Sequence, residues 1–188
     1  MAQLDRRRFA TLLTMSDDPN PFQILGVEPV FQVDEQTLQA RYLKLSGEHH
    51  PDRFTDPAEQ AEAAERAAAI NEAYHVLLDP EQRANALLDL LGGPSAAQDK
   101  SLPQDLLSEM MEIRERQEQA VESGDEQKMN ELMLWATRQR DIHLKRIGML
   151  FEMATTGDRV QEEKLEIIRL ELNALRYFQR MIEQLPVL

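Results

Sequence analysis

The sequence predicts an all-α fold, a helical hairpin followed by an elongated three-helix bundle, and three observations carry that prediction. Leu, Ala, Glu and Met make up 75 of the 188 residues, whereas the β-branched Val, Ile and Thr number only 7, 8 and 7. Apolar residues recur at helical steps of three and four along most of the chain. Proline, glycine and Asp/Ser positions interrupt those segments where helix caps are needed.

The elements follow in order. Residues 1–18 show no sustained period and are expected to form a flexible leader. Around Pro19 and Pro21 the chain is restricted, and Phe22, Ile24, Leu25 and Val27 form a short apolar anchor of one or two helical turns. Asp34 is suited to cap a second helix, whose Leu38, Tyr42 and Leu45 share a face and which should end near His49 and His50, because Pro51 disfavours the α region before it. A loop through Phe54 leads to an alanine-rich helix of about 20 residues carrying Ala63, Ala67, Ile70, Tyr74 and Leu77. The small side chains of Ala63, Ala64, Ala67 and Ala68 are expected to let the two helices of this hairpin approach closely. Asp79 and Pro80 close it, and a short helix through Leu87 and Leu88 stops at Gly92, Gly93 and Pro94.

Residues 94–100 read as a linker between a unit spanning 19–93 and a second spanning 101–188. Ser101 and Gln104 fit a capping box for a helix through Leu106, Met110 and Ile113, which breaks at Gly124. The next helix runs from about Glu126 to Ala154, with Leu132, Trp135, Ile142 and Met149 expected on its packed side. Asp158, with Gln161 three residues on, is the expected cap of a last helix striped by Leu165, Ile168, Leu172, Leu175, Phe178, Ile182 and Leu185. His75 and His143 read as ordinary surface or interface side chains, and Trp135 as a packing residue.

Composition also excludes functions. The absence of cysteine rules out disulfides, thiol nucleophiles and thiolate metal sites. With 34 acidic and 21 basic residues the net charge is -13, which leaves no excess of cation for phosphates and argues against nucleic acid as a partner. No stretch reaches the roughly 20 apolar residues of a membrane span. The leader's acids and short apolar run weigh against a secretory signal or a mitochondrial presequence, so a soluble cytoplasmic protein is expected.

The most informative residues are His50, Pro51, Asp52 and Arg53, placed between the helices of the hairpin. In an ordinary loop Pro51 stops the helix and Asp52 satisfies nearby amides. Metal ligation by His49, His50 and Asp52 is disfavoured because adjacent histidines on a helix point in different directions. No nucleophile, base and orienting partner occur as a set, so hydrolysis is poorly supported. No glycine-rich phosphate loop is present.

The His50-Pro51-Asp52 loop, preceded by Arg41, Tyr42 and Leu45 and followed by Phe54 and the segment from Ala69 to Leu77, resembles a J-domain. The flanking PNPFQILGV and LLDPEQRANALL strengthen the likeness. In the second unit, LPQDLLSEMMEIRE from Leu102 to Glu115 and LNALRYFQRM from Leu172 to Met181 resemble the carboxy-terminal domain of the HscB family, J-domain co-chaperones of iron-sulfur cluster assembly. The resemblance covers roughly residues 20–185 and is to the bacterial type, without a cysteine-rich amino-terminal extension.

That resemblance implies a non-enzymatic adaptor without a cofactor. It implies a J-domain that stimulates ATP hydrolysis by a dedicated DnaK-like chaperone and a helical domain that holds an IscU-type scaffold. For the chaperone it implies His50, Pro51 and Asp52, to which Arg41, Lys44 and Arg53 add electrostatic steering. For the scaffold it implies Leu107, Met111, Glu112, Glu115 and Tyr177. The chain departs from the family pattern at His49, where an aromatic residue is usual, and at Gly47, Glu48 and Ser108, the last of which reduces the apolar patch. A J-protein serving another client, or a structural helical protein without an ATPase role, are the alternatives. Leu107, Met111 and Tyr177 would be bundle core in the plainest reading, although Leu106, Met110 and Ile113 already supply an inward stripe. A patch large enough for a partner could also join two copies.

Overall fold

The computed structural model describes residues 19–156 and 159–185, and within them every regular element is helical. The leader at 1–18 and the expected cap Asp158 lie outside the described residues. Contacts divide the chain into two compact units that part between Gly92 and Gly93.

In the first unit, α1 (Pro21–Leu25) begins with a capping box in which Asn20 and Gln23 each accept the other's backbone N–H, at 3.0 and 2.9 Å. It ends at Gly26, whose φ of 62° is left-handed and favours glycine. Helix α2 (Glu35–Glu48) is capped by Asp34, whose side chain accepts from the Thr37 amide. The hydroxyl and amide of Thr37 hold the Asp34 carboxyl below the usual range. A single 3-10 turn, Pro51–Arg53, leads to α3 (Pro57–Leu78), and Asp79 both ends α3 and caps α4 (Pro80–Leu90).

Phe22, Leu25, Leu38, Ile70, Leu77 and Leu88 form the centre of this unit and are almost completely buried. Of the four alanines expected at the hairpin contact, Ala63 is buried and Ala67 half-buried, but Ala64 and Ala68 are exposed. They lie on the far side of α3, where the 3.6-residue period turns them to solvent.

Arg83 fastens the loop before α2 to the end of α3. Its guanidinium donates to the Phe31 carbonyl at 2.9 Å and to the carbonyls of Leu77 and Leu78, and it lies 5.4 Å from the centre of the Phe31 ring. Desolvation by burial moves its pKa down, opposed by Asp79 and Glu35. Replacing Arg83 with Met keeps the aliphatic packing but leaves these partly buried carbonyls without their charged donor. The expected cost is about 1.5–3 kcal/mol of stability, read by urea denaturation.

The second unit consists of α5 (Gln104–Ser123), α6 (Glu126–Ala154) and α7 (Glu162–Gln184). Helix α5 has no side-chain cap; its N-cap is Pro103, and Ser101 instead donates its N–H to Asp99 at 2.7 Å. The expected Ser101 capping box is therefore absent, because the helix begins two residues too late for it. Gly124, with φ of 63°, ends α5, and Asp125 caps α6.

Helix α7 buries Leu165, Ile168, Leu172, Leu175 and Phe178 as expected, together with Met181. On α6 the packed side holds Met129, Leu132, Ala136, Ile147 and Phe151, whereas Ile142 and Met149 are exposed, correcting the stripe expected there. A 29-residue helix packs over much of its length and buries more than one row, so spacing did not single out the row that faces inward. Trp135 is half-buried and meets Phe178 edge-on at 5.5 Å.

Of the two roles expected for His143, surface or interface, the structure gives it the second. Its Nδ1 lies 2.6 Å from an oxygen of Glu171, a carboxylate only 3% exposed, whose other oxygen forms an ion pair with Arg146 at 3.1 Å. This joins α6 to α7 through a satisfied buried carboxylate.

Candidate functional site

The first candidate site is the turn between α2 and α3. His50 is extended, with φ of -68° and ψ of 128°, a conformation favoured before proline. Pro51 starts the 3-10 turn, and Arg53 and Phe54 close it by donating their amides to His50 and Pro51 at 3.1 Å each. The Asp52 amide donates to Nδ1 of His50 at 3.3 Å.

The Asp52 carboxylate is not consumed in this arrangement. It stays 3.6 Å from His50 Nδ1, beyond hydrogen-bond reach, and its side chain is 88% exposed. The turn thus holds its backbone internally and presents a carboxylate outward.

Three cationic side chains flank it. Arg41 and Lys44 stand one turn apart on α2, both exposed, and Lys44 lies 3.9 Å from Glu48. An exposed pair of this kind contributes little. Arg53 donates to the Gly47 carbonyl at 3.0 Å, so its guanidinium ties the turn back to the end of α2.

Below the turn, Tyr42 and Tyr74 stack with ring centres 4.3 Å apart, and the Tyr42 hydroxyl donates to Asn71 at 2.8 Å. This clamp between α2 and α3 was not legible as a unit. Tyr42 and Tyr74 stand out individually as members of apolar stripes, but their pairing spans 32 residues and only the hairpin brings it about.

Gly47 sits inside α2, and a Cβ built there meets nothing within 4 Å. Gly47→Ala should therefore raise stability by about 0.5–1 kcal/mol, measured as a shift in urea midpoint, and leave the turn's geometry intact.

The second candidate site lies on α5 and α7. Leu107 and Met111, one turn apart, are 50% and 77% exposed, while Leu106 and Ile113 are buried. Tyr177 is half-buried: its ring meets Phe178 edge-on at 5.6 Å and its hydroxyl donates to the Met110 carbonyl at 3.4 Å. Desolvation raises its pKa, partly offset by the charge of Arg114. Tyr177 therefore approaches α5 on the edge carrying Met110 and Arg114.

Glu115 is exposed and one turn beyond Met111. Glu112 is also exposed, but at about 100° per residue it falls on the flank away from Leu107 and Tyr177. Among the described residues no three or more His, Cys, Asp or Glu side chains converge as metal ligands, and no helix is long and apolar enough to cross a membrane.

A helical hairpin whose connecting turn offers an exposed His-Pro-Asp carboxylate is the hallmark of J-domain proteins, and residues 20–86 match the DnaJ domain family. Residues 102–186 match the HSCB C-terminal oligomerisation domain. The chain belongs to the HscB family of J-domain co-chaperones, which are not themselves enzymes. It is 30% identical over 171 residues to the co-chaperone protein HscB homolog of Haemophilus ducreyi, a match covering 88% of this chain and 93% of that one. The fold is shared with the human co-chaperone protein HscB, at a TM-score of 0.76 and 24% identity, covering 90% of this chain and 82% of that chain. Chaperone HscB from Vibrio cholerae superposes with a TM-score of 0.72 at 24% identity, covering 88% and 94% respectively.

Proposed function

We propose that this chain stimulates ATP hydrolysis by a dedicated DnaK-like chaperone and delivers to it an IscU-type scaffold for iron-sulfur clusters, acting in the cytoplasm. The observation that carries the proposal is the exposed Asp52 carboxylate on a self-satisfied turn, in a chain whose second half matches the HscB carboxy-terminal family. His50 and Pro51 set the turn, Asp52 offers an acceptor to a cation of the chaperone, and Arg41 and Lys44 steer the encounter. Arg53 contributes from the same turn, through its hold on α2 as well as its charge.

Leu107 and Met111 form the apolar centre of the scaffold surface. Tyr177 supports its edge, Glu115 borders it, and Glu112 adds negative charge from the neighbouring flank. The units 19–93 and 101–188 act as the two ends of the adaptor, joined by 94–100. The direct test is chaperone ATP turnover measured with this chain, the scaffold, both and neither. Stimulation by the chain, increased further by the scaffold, is expected; no stimulation in either mixture would remove the proposal.

A further inference from the structure

Sulfur enters this chain only as methionine, with nine methionines and no cysteine. No thiol competes with these thioethers for an oxidant, and their exposure differs widely. Met129 and Met181 are buried in the bundle core, and Met110 and Met133 pack half-buried against it. Met149 and Met153 on α6 are 57% and 48% exposed, whereas Met111 on α5 is 77% exposed. Met110 and Met111 are adjacent, but successive residues of a helix point about 100° apart. One therefore turns toward Leu106, Ala174 and Phe178, and the other to solvent.

We propose that Met111 is a modification site, at which hydrogen peroxide converts the thioether to a sulfoxide and thereby releases the scaffold. The sulfur lone pair attacks one peroxide oxygen, the O–O bond breaks, and the departing hydroxide takes the proton of the transferred oxygen to leave as water. Sulfur loses two electrons and the peroxide gains them. A dithiol reverses the change, its two thiols closing to a disulfide while the oxygen leaves as water, which is the reaction of methionine sulfoxide reductases.

In the free chain the added oxygen is solvated, so the bundle keeps its packing. At an interface the same oxygen must shed water where an apolar side chain was buried, and an incompletely partnered polar group there weakens binding about tenfold. Position selects Met111 as well as exposure: it lies one turn from Leu107 on α5, whereas Met149 and Met153 belong to another helix. That oxidation releases the scaffold rests on the function proposed above; the order in which the methionines oxidise does not.

The test exposes the full chain to dilute hydrogen peroxide, removes the peroxide with catalase, and divides the product between peptide mass mapping and calorimetry with untreated scaffold. One oxygen should add at Met111 before Met149 and Met153, and well before Met110. Affinity should fall about tenfold as Met111 is consumed, with the circular dichroism unchanged. Reductase with a dithiol should restore it. Met111→Leu, whatever its starting affinity, should bind equally before and after peroxide. The double variant Met149→Leu, Met153→Leu should start at the wild-type affinity and still lose it on oxidation. Oxidation of Met111 no earlier than Met110, undiminished affinity once Met111 is oxidised, or a loss that persists in Met111→Leu overturns this proposal. An untreated chain that fails to bind the scaffold overturns the proposed function, and the release with it; mass mapping then judges the oxidation site by itself.

Discussion

Replacing Asp52 with Asn is expected to remove most of the stimulation of the chaperone's ATPase while leaving this chain folded. The substitution is nearly isosteric and removes only the charge. Asp52 supplies the turn with its backbone amide, which Asn also carries, and its carboxylate makes no hydrogen bond among the described residues. A charge-assisted bond to a cationic partner contributes about 1.5–3 kcal/mol, so its loss should lower a single-turnover rate at subsaturating concentrations by roughly tenfold to a hundredfold. Stability should change by less than about 0.5 kcal/mol, as for other exposed sites. Urea denaturation checks the second expectation and single-turnover hydrolysis the first. Wild-type stimulation by a folded Asp52→Asn chain would show that this carboxylate is not the point of contact.

The double change Leu107→Ala, Met111→Ala should weaken scaffold binding by at least about tenfold. Each side chain can contribute about 1.5–3 kcal/mol when buried at an interface, before the costs of association, and central apolar contacts carry a large share of binding energy. Because both are exposed in the free chain, their removal should scarcely affect folding, unlike truncation of the neighbouring buried Leu106. Calorimetry gives the affinity, and circular dichroism checks the helices. Charge changes at Glu112 or Glu115 should have smaller effects that diminish with salt. Unchanged affinity in the folded double variant would move the scaffold surface elsewhere.

Most of the helical architecture was legible because its signals are local. Asp34 places a helix start and Gly124 a helix end, as their residue types indicate, and the structure adds caps at Asn20, Asp79 and Asp125 and a left-handed end at Gly26. The stripe on α7 was legible for a related reason: this helix is strongly one-sided, and its buried row is almost uninterrupted. The His-Pro-Asp turn could be placed because Pro51 ends one helix and Pro57 begins the next.

The cap at Asp34, the apolar period of α7 and the identity of the turn are properties of short stretches, and the sequence by itself determined them, whereas the capping box expected at Ser101 did not form. Tertiary structure decided which apolar row of α6 is buried, since Ile142 and Leu132 satisfy the same local pattern and only packing against neighbouring helices separates them. It also decided that His143 meets buried Glu171, that Tyr42 stacks on Tyr74 and that Arg83 holds the Phe31 carbonyl. Those pairs are 28, 32 and 52 residues apart. Their energies depend on distance and on exclusion of water, neither of which exists until the helices have packed.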